Sequence, residues 1–413
     1  MLLFLLMTYI TTLYLRPAEI FSSLSDVRVV AIASIITAIG AVVSLALRPR
    51  PIADHPLDKA VLGFWAAIVL SNVAWGWFGG GYAGFTDFLP VVMTYFLVRA
   101  AVRKPGQLRA IIVLLVVLNL VQAINAIVEF HTGIGLGGVT AVQGTRVRGT
   151  GIFNDPNDLA MSLVVAVPLV MTAIALRGRV LWRALGLAVL GLMLVAILYT
   201  SSRGAVLGLA VMALAYASAR AGRMVAVVCA AAVFAALTVA GPSRASEINA
   251  GEESAQNRVQ AWSAGLEMLK QRPLFGVGYG QFTEYHELVA HNSLVHSFAE
   301  LGLFGELWFV SLFYWFFKSV SARVGGGSGV WKTWSTPLRA SGVGLLVCVS
   351  FLSRQYVVVP YVLFALGASY AAMAQRHGTA LSWTVRDLVK IGVLSVGFVA
   401  TTYIAVRLLA VWS

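Results

Sequence analysis

Three polar segments interrupt an otherwise apolar chain, and each carries arginine. The first is Arg146-Val147-Arg148-Gly149-Thr150-Gly151-Ile152-Phe153-Asn154-Asp155-Pro156-Asn157-Asp158, where Gly and Asn-Asp-Pro build turns and Asn157 or Asp158 can cap the next helix. The second, Thr200-Ser201-Ser202-Arg203-Gly204, is a hinge so tight that Arg203 must sit near a bilayer boundary, where an unpaired arginine is costly. The third runs from Asn257-Arg258 through Pro273-Leu274-Phe275-Gly276-Val277-Gly278 to His291-Asn292. Guanidinium forks match phosphate oxygens, so Arg146, Arg148, Arg203 and Arg258 together read as an anion site suited to a lipid diphosphate, with Arg354 as a further member. An imidazole titrating near pH 6.5 takes a proton from an attacking hydroxyl at neutral pH, which is the chemistry His291 offers. Glu287, one turn before it, is a candidate to orient the ring, as are Glu284 and Glu300, and a carboxylate base in place of His291 stays open. His291 and His296 lie about 140° apart around a helix and do not read as a bidentate pair. No phosphate-binding glycine motif occurs, no Cys/His spacing suggests zinc, and neither a metal nor a cofactor is expected.

The elements that must position these groups follow from composition. Of 413 residues 59% are hydrophobic and 11% charged, against about 25% charged in soluble chains, and the mean hydropathy is +0.84. That excludes a soluble enzyme and predicts an all-α polytopic membrane protein of about a dozen spans. Apolar runs at 1–16, 29–47, 60–78, 87–102, 110–130, 158–176, 184–201, 204–219, 224–241, 292–317, 340–353, 357–374 and 391–409 predict twelve or thirteen helices, the last being the uncertain one. The formal charge of +13 reflects orientation rather than nucleic-acid binding. The connections at 48–59, 99–109, 177–183, 220–223, 318–339 and 376–390 hold most of the Lys and Arg and are expected to be cytoplasmic. The stretch 1–16 lacks a basic leader and reads as a first span. Cys229 and Cys348 both fall in apolar runs and read as packing residues.

The chain reads as one membrane domain over 1–413, with its motifs within 140–310 and one larger non-cytoplasmic loop at 242–291. In that loop Val259, Trp262, Leu266 and Leu269 recur at helical spacing, predicting an amphipathic helix on the membrane surface. Gly325-Gly326-Gly327-Ser328-Gly329 reads as a flexible cytoplasmic linker.

His291-Asn292, nine residues, Gly302, two residues and Gly305 resemble the H-[NSQ]-x9-G-x2-[GTY] signature of the O-antigen ligase family. Arg148-Gly149-Thr150-Gly151 with Asn154 to Asn157, then Ser202-Arg203-Gly204, Arg258 with Trp262, and Pro273 to Gly278 follow in the order of the domain shared by these ligases and the Wzy-type O-antigen and exopolysaccharide polymerases. The resemblance implies a metal-independent, inverting, GT-C-like glycosyltransferase of the bacterial inner membrane with a periplasmic active site. Its donor would be a glycan on undecaprenyl diphosphate, and its acceptor the lipid A core for a ligase or a growing lipid-linked glycan for a polymerase. By matching position His291 would be the base and Arg203 and Arg258 would hold the leaving diphosphate. Arg146 or Arg148 would assist, with Asn154, Asn157, Glu287, Asn292 and Arg354 as further substrate contacts. The rival reading is a transporter for the same lipid-linked anion, whose signature of paired interrupted helices in two related halves is not seen.

Overall fold

The computed structural model describes residues 1–47, 54–142, 146–176, 179–240, 248–321, 330–374 and 381–409. The glycine-rich segment 325–329 and the start of the long loop, residues 241–247, lie outside them. The described chain forms the helices α1 (Leu2–Leu15), α2 (Pro17–Ile20), α3 (Val29–Leu47), α4 (Pro56–Val73), α5 (Phe78–Ala101), α6 (Pro105–Thr132), α7 (Pro156–Ala175), α8 (Val180–Tyr199), α9 (Arg203–Ala221), α10 (Arg223–Ala240), α11 (Ile248–Gln271), α12 (Phe282–Tyr285), α13 (Ser293–Val320), α14 (Val330–Val349), α15 (Val358–Ala374) and α16 (Val385–Leu409). Extended pairing among the described residues is limited to two isolated antiparallel bridges, Ile134 with Thr140 and Val142 with Arg146.

Each apolar run corresponds to one of these helices, the ends differing by a few residues, as where α4 stops at Val73 and α14 at Val349. Nine of them, α3 to α9, α13 and α16, are long and apolar enough to cross a membrane, while α1 and α15 are shorter apolar helices. The chain is an all-α polytopic membrane protein. The last run is the full-length helix α16, and its final residue reaches α11, where Gln256 Nε2 donates to the Leu409 carbonyl at 3.2 Å.

Burial sorts the helices as a bilayer requires. Helices α7, α13 and α15 are the innermost, whereas α3, α8 and α16 expose most of their surface. The exposed face of α3 is built from Ile32, Ile35, Ile36 and Ile39, an apolar stripe that suits lipid. Several polar side chains inside the bundle find partners in neighbouring helices, where no water can replace them, whereas both oxygens of the buried Glu306 have none among the described residues. Ser162 Oγ donates to Asn119 Oδ1 at 2.8 Å, and Gln122 Nε2 donates to the Tyr14 carbonyl at 2.8 Å. The end of the bundle rich in Lys and Arg is held by ion pairs. Arg99 reaches Asp58 at 2.9 Å and Asp54 at 3.3 Å, and Lys318 reaches Asp387 at 2.6 Å.

The amphipathic helix is α11, but its apolar face meets protein. Val259 and Leu269 are buried, and this face packs with Val295, Phe298 and Ala299 of α13 and with Phe398 and Val399 of α16. The expectation of a helix resting on lipid is corrected accordingly, because the neighbouring helices offer a closer-packed apolar surface than a headgroup layer.

Helix α13 is broken at Gly302, whose φ of 67° and ψ of −168° no helix contains. A break strips carbonyls and amides of their partners, and inside a membrane they must be satisfied by protein. The segment 273–278 does so. Val277 N donates to the Ala299 carbonyl at 3.0 Å and Gly278 N to the Glu300 carbonyl at 2.9 Å, while Leu303 N and Phe304 N donate to the carbonyls of Pro273 and Leu274 at 2.8 and 3.1 Å. Backbones approach this closely because both contacting positions are glycine. A Cβ on Gly276 would lie 2.3 Å from the Glu300 carbonyl carbon, and one on Gly302 would lie 2.4 Å from the Leu274 carbonyl. The end of α4 closes over the segment, with Trp75 Nε1 donating to the Gly276 carbonyl at 2.9 Å and Ser71 Oγ accepting from Tyr279 N at 2.9 Å. The part of α13 beyond the break, residues 303–320, spans about 27 Å and can cross the hydrocarbon core by itself. Residues 293–301 are thereby left at the end of the bundle that carries the polar segments.

Gly302→Ala is expected to lower the thermal unfolding midpoint in detergent, with about 1–3 kcal/mol lost from the backbone conformation before the steric clash is added. An unchanged midpoint contradicts this account of the break.

Candidate active site

Helix α13 begins at Ser293 rather than at His291. Asn292 caps it, its Oδ1 accepting from Leu294 N at 3.0 Å and Val295 N at 3.3 Å. His291 precedes the cap with a left-handed φ of 47°, so its ring leaves the helix axis at a bend. Glu287 therefore has no one-turn relation to His291. It lies exposed on the irregular stretch between α12 and α13, and Glu284 is exposed on α12. Glu300, the third candidate to orient His291, is hydrogen-bonded to His296 instead, with Nε2 to Oε1 at 3.1 Å.

Arg258 reaches this bend, and Arg203 lies within electrostatic reach of Arg258. Arg258 comes from α11, which is fixed beside it by Trp262 Nε1 donating to the Ala290 carbonyl at 2.9 Å. Arg203 is the first residue of α9, immediately after the cap Ser202 and the left-handed Ser201. A cation in the first turn of a helix opposes the helix dipole, so this position gains from an anion in front of it. Burial and the neighbouring Arg203 charge lower the pKa of the Arg258 guanidinium, which places the two cations within electrostatic reach. Among the described residues neither has a hydrogen bond or ion pair in the structure. The His291 pKa lies below its ordinary value, first through burial, then through Arg258 and Arg354, with Asp155 opposing. The imidazole is therefore neutral at pH 7 and can accept a proton.

Arg354, on the turn between α14 and α15, is tied down. Its backbone N donates to Ser293 Oγ at 2.8 Å and its guanidinium is paired with Asp158 and, at 3.1 Å, with Asp155. It joins the start of α7 to the start of α13 and shows less capacity for a substrate anion than Arg203 or Arg258. Asp155 caps α7 and accepts from Asn157 N at 2.7 Å, and Asn157 Oδ1 accepts from Arg146 Nη2 at 3.2 Å. Arg146 Nε also donates to the Thr200 carbonyl at 3.2 Å, which links the first polar segment to the hinge before Arg203. The paired arginines of that segment separate here. Arg148 Nε donates to the Thr140 carbonyl at 3.1 Å and its backbone N to Glu129, on the side of the loop toward the bridges. Asn154 is exposed in the turn before α7.

The structure thus brings together Arg203, Arg258, His291 and Arg354, with Arg146 and Asn157 in contact behind them, and leaves Arg148, Asn154 and Glu287 at the margin. The starts of α7, α9 and α13 share this end of the bundle, adding three positive dipole ends to the arginines. The sequence reading missed Asp155 and Asp158 as the acidic partners of Arg354. Their spacing of three residues at a helix start was the available signal. It also missed that Pro273 to Gly278 serves the backbone of α13 rather than a ligand, a role visible only in three dimensions.

Residues 188–310 match the family model described as O-antigen ligase. The match contains Arg203, Arg258, His291, Asn292, Gly302 and Gly305, and the chain thus carries a region of the O-antigen ligase and polymerase superfamily. Arg146, Arg148, Asn157 and Arg354 lie outside the matched residues. A search of curated proteins gives no match.

Two unpaired guanidiniums make a direct test. Arg203→Ala and Arg258→Ala are each expected to weaken inorganic pyrophosphate binding, measured by calorimetry on nanodisc-embedded protein, by about 10- to 100-fold, since a charge-assisted hydrogen bond contributes about 1.5–3 kcal/mol. Arg148→Ala is expected to change it little.

Proposed function

From a chain whose residues 188–310 are of the O-antigen ligase superfamily, we propose a membrane glycosyltransferase that moves a glycan from undecaprenyl diphosphate to an acceptor hydroxyl at the periplasmic face, as an O-antigen ligase acting on the lipid A core. The observation that carries this reading is the pair of unpartnered cations, Arg203 and Arg258, beside the neutral imidazole of His291. A glycosyl diphosphate is already activated, so the site needs only to hold the leaving group and take a proton. The acceptor oxygen attacks the anomeric carbon while the bond from that carbon to the diphosphate oxygen breaks, inverting the centre. The acceptor proton passes to His291, and Arg203 and Arg258 offset the charge that grows on the diphosphate. Anchoring donor and acceptor in one bilayer raises their effective concentration at the site.

The second reading is polymerisation of lipid-linked repeat units. It is favoured by the way residues 256–292 fold back onto α13 and α16, leaving a compact cover over the site.

One assay separates the readings: purified undecaprenyl-diphosphate-linked glycan with EDTA present, offered lipid A core and, in parallel, a second lipid-linked repeat unit. Product on lipid A core supports a ligase and lengthened lipid-linked glycan a polymerase. Movement of the donor across proteoliposomes with no product on either acceptor would point to a transporter. His291→Ala is expected to lose about 10²- to 10⁴-fold in rate while staying folded. The acid limb of the wild-type pH profile is expected below the ordinary imidazole value of about 6.5, because burial, then Arg258 and Arg354, hold the His291 pKa down. Full activity of the alanine variant removes His291 from the mechanism.

A further inference from the structure

At the end of the bundle opposite the candidate active site, the edge formed by α3 holds a cavity with no part in the chemistry above. Helix α3 exposes most of its surface, and where it passes α5 and α15 a cavity of about 440 Å³ opens. Its walls are apolar and are drawn from Ala41, Val42 and Leu45 of α3, Met93 and Leu97 of α5 and Met373 of α15. Val42 is 66% exposed, so the α3 wall also meets the surrounding hydrocarbon. The end of α5 and the residue after its cap add charge: Arg99 and Arg103 line the cavity, with Asp54 the single carboxylate among its described lining residues. This is the end rich in Lys and Arg, where the orientation rule puts the cytoplasm. Arg99 is held rigidly, its Nε donating to Asp58 Oδ1 at 2.9 Å and its Nη2 to Asp58 Oδ2 at 3.1 Å and Asp54 Oδ1 at 3.3 Å. Asp58 is fully buried and also accepts from Tyr95 Oη at 2.7 Å. Nη1 of Arg99 makes no hydrogen bond among the described residues. Arg103 Nε donates to the Ala100 carbonyl at 2.6 Å. Ser369 of α15 completes the wall, and its buried Oγ has no partner among the described residues.

We propose that this cavity binds one anionic glycerophospholipid of the cytoplasmic leaflet, with its phosphate at Arg99 and Arg103 and an acyl chain along the apolar walls between α3, α5 and α15. The walls select hydrocarbon, because a free anion gains nothing from them. The two guanidiniums select a phosphate, and a net negative headgroup over a zwitterionic one, whose own cation would oppose them. Their place at the end of a spanning helix is the depth of headgroups, and basic pockets between helices at that depth are where anionic lipids settle. Ser369 lies more than one turn in from the end of α15, below the phosphate, where the lipid's ester oxygens can accept from its hydroxyl and remove the cost of burying it unpaired. A lipid seated there joins α3 to α5 and α15. The site is separate from the transferase reading, since its residues lie at the other end of the bundle.

The test is native mass spectrometry of the full-length protein in mild detergent, titrated with dioleoyl phosphatidylglycerol and, in parallel, dioleoyl phosphatidylcholine. The wild-type chain is expected to hold one phosphatidylglycerol in preference to phosphatidylcholine, and its thermal unfolding midpoint to rise with phosphatidylglycerol. Arg103→Ala is expected to weaken phosphatidylglycerol binding about fivefold, the factor for one basic residue at an anionic headgroup, while Arg103→Lys keeps it. Ala38 lines the cavity from α3, so Ala38→Phe is expected to abolish the bound lipid by filling the space. Arg109→Ala, exposed at the same end of the bundle but outside the cavity, is expected to change nothing. An unfolding midpoint near wild type without added lipid identifies the variants that fold. Equal binding of the two lipids, or phosphatidylglycerol binding that survives both Arg103→Ala and Ala38→Phe, overturns the proposal. Preference for undecaprenyl phosphate over phosphatidylglycerol in the same titration also overturns it and makes the cavity part of a substrate path.

Discussion

The arrangement depends on an exchange of backbone hydrogen bonds at Gly302. A transmembrane helix that breaks must find partners for the groups it exposes, and here the segment 273–278 supplies both donors and acceptors. Because that segment follows α11 and leads to His291, the same exchange anchors the helix bearing Arg258 and the bend bearing the base. The break also divides α13 into a spanning part and a shorter piece at the polar end, on which His296 and Glu300 sit. Loss of the close approach between Gly276 and Gly302 would therefore disturb every functional side chain of this half of the site at once.

Electrostatics then separates the arginines by role. Arg354 is neutralised by Asp155 and Asp158 and acts as a tie between α7 and α13. Among the described residues Arg203 and Arg258 have no acidic partner; Arg258 is half-buried and feels the charge of Arg203, which lies exposed. A cation at the first turn of α9, as Arg203 is, opposes the helix dipole and is favoured by a facing anion. Burial, then Arg258 and Arg354, lower the His291 pKa, so Arg258 acts in the field of both groups.

Much of this was legible in the chain. The apolar runs announced the helices, nine of which among the described residues are long and apolar enough to cross a membrane, since a bilayer demands about 20 apolar residues per crossing whatever the neighbours are. Arg203, Arg258 and His291 stood out because they lie outside the connections whose basic residues the orientation of the spans accounts for. The amphipathic pattern of Val259, Trp262, Leu266 and Leu269 correctly marked α11, although periodicity states that a face is covered without saying whether lipid or protein covers it. The spacing of Glu287 and His291 misled, because it presumed a helix where Asn292 instead provides a cap one residue later.

The sequence by itself determined the fold class and where the apolar helices lie, because those depend on local composition and on the bilayer as solvent, and it offered candidate residues for an anion site with a base. Tertiary structure alone decided which carboxylates serve Arg354, namely Asp155 and Asp158, and that among the described residues none serves Arg203 or Arg258. The reason is range. Hydrophobic patterning is read one helix at a time, whereas hydrogen bonds and ion pairs join groups tens to hundreds of residues apart, and a shift of a few ångströms changes the partner.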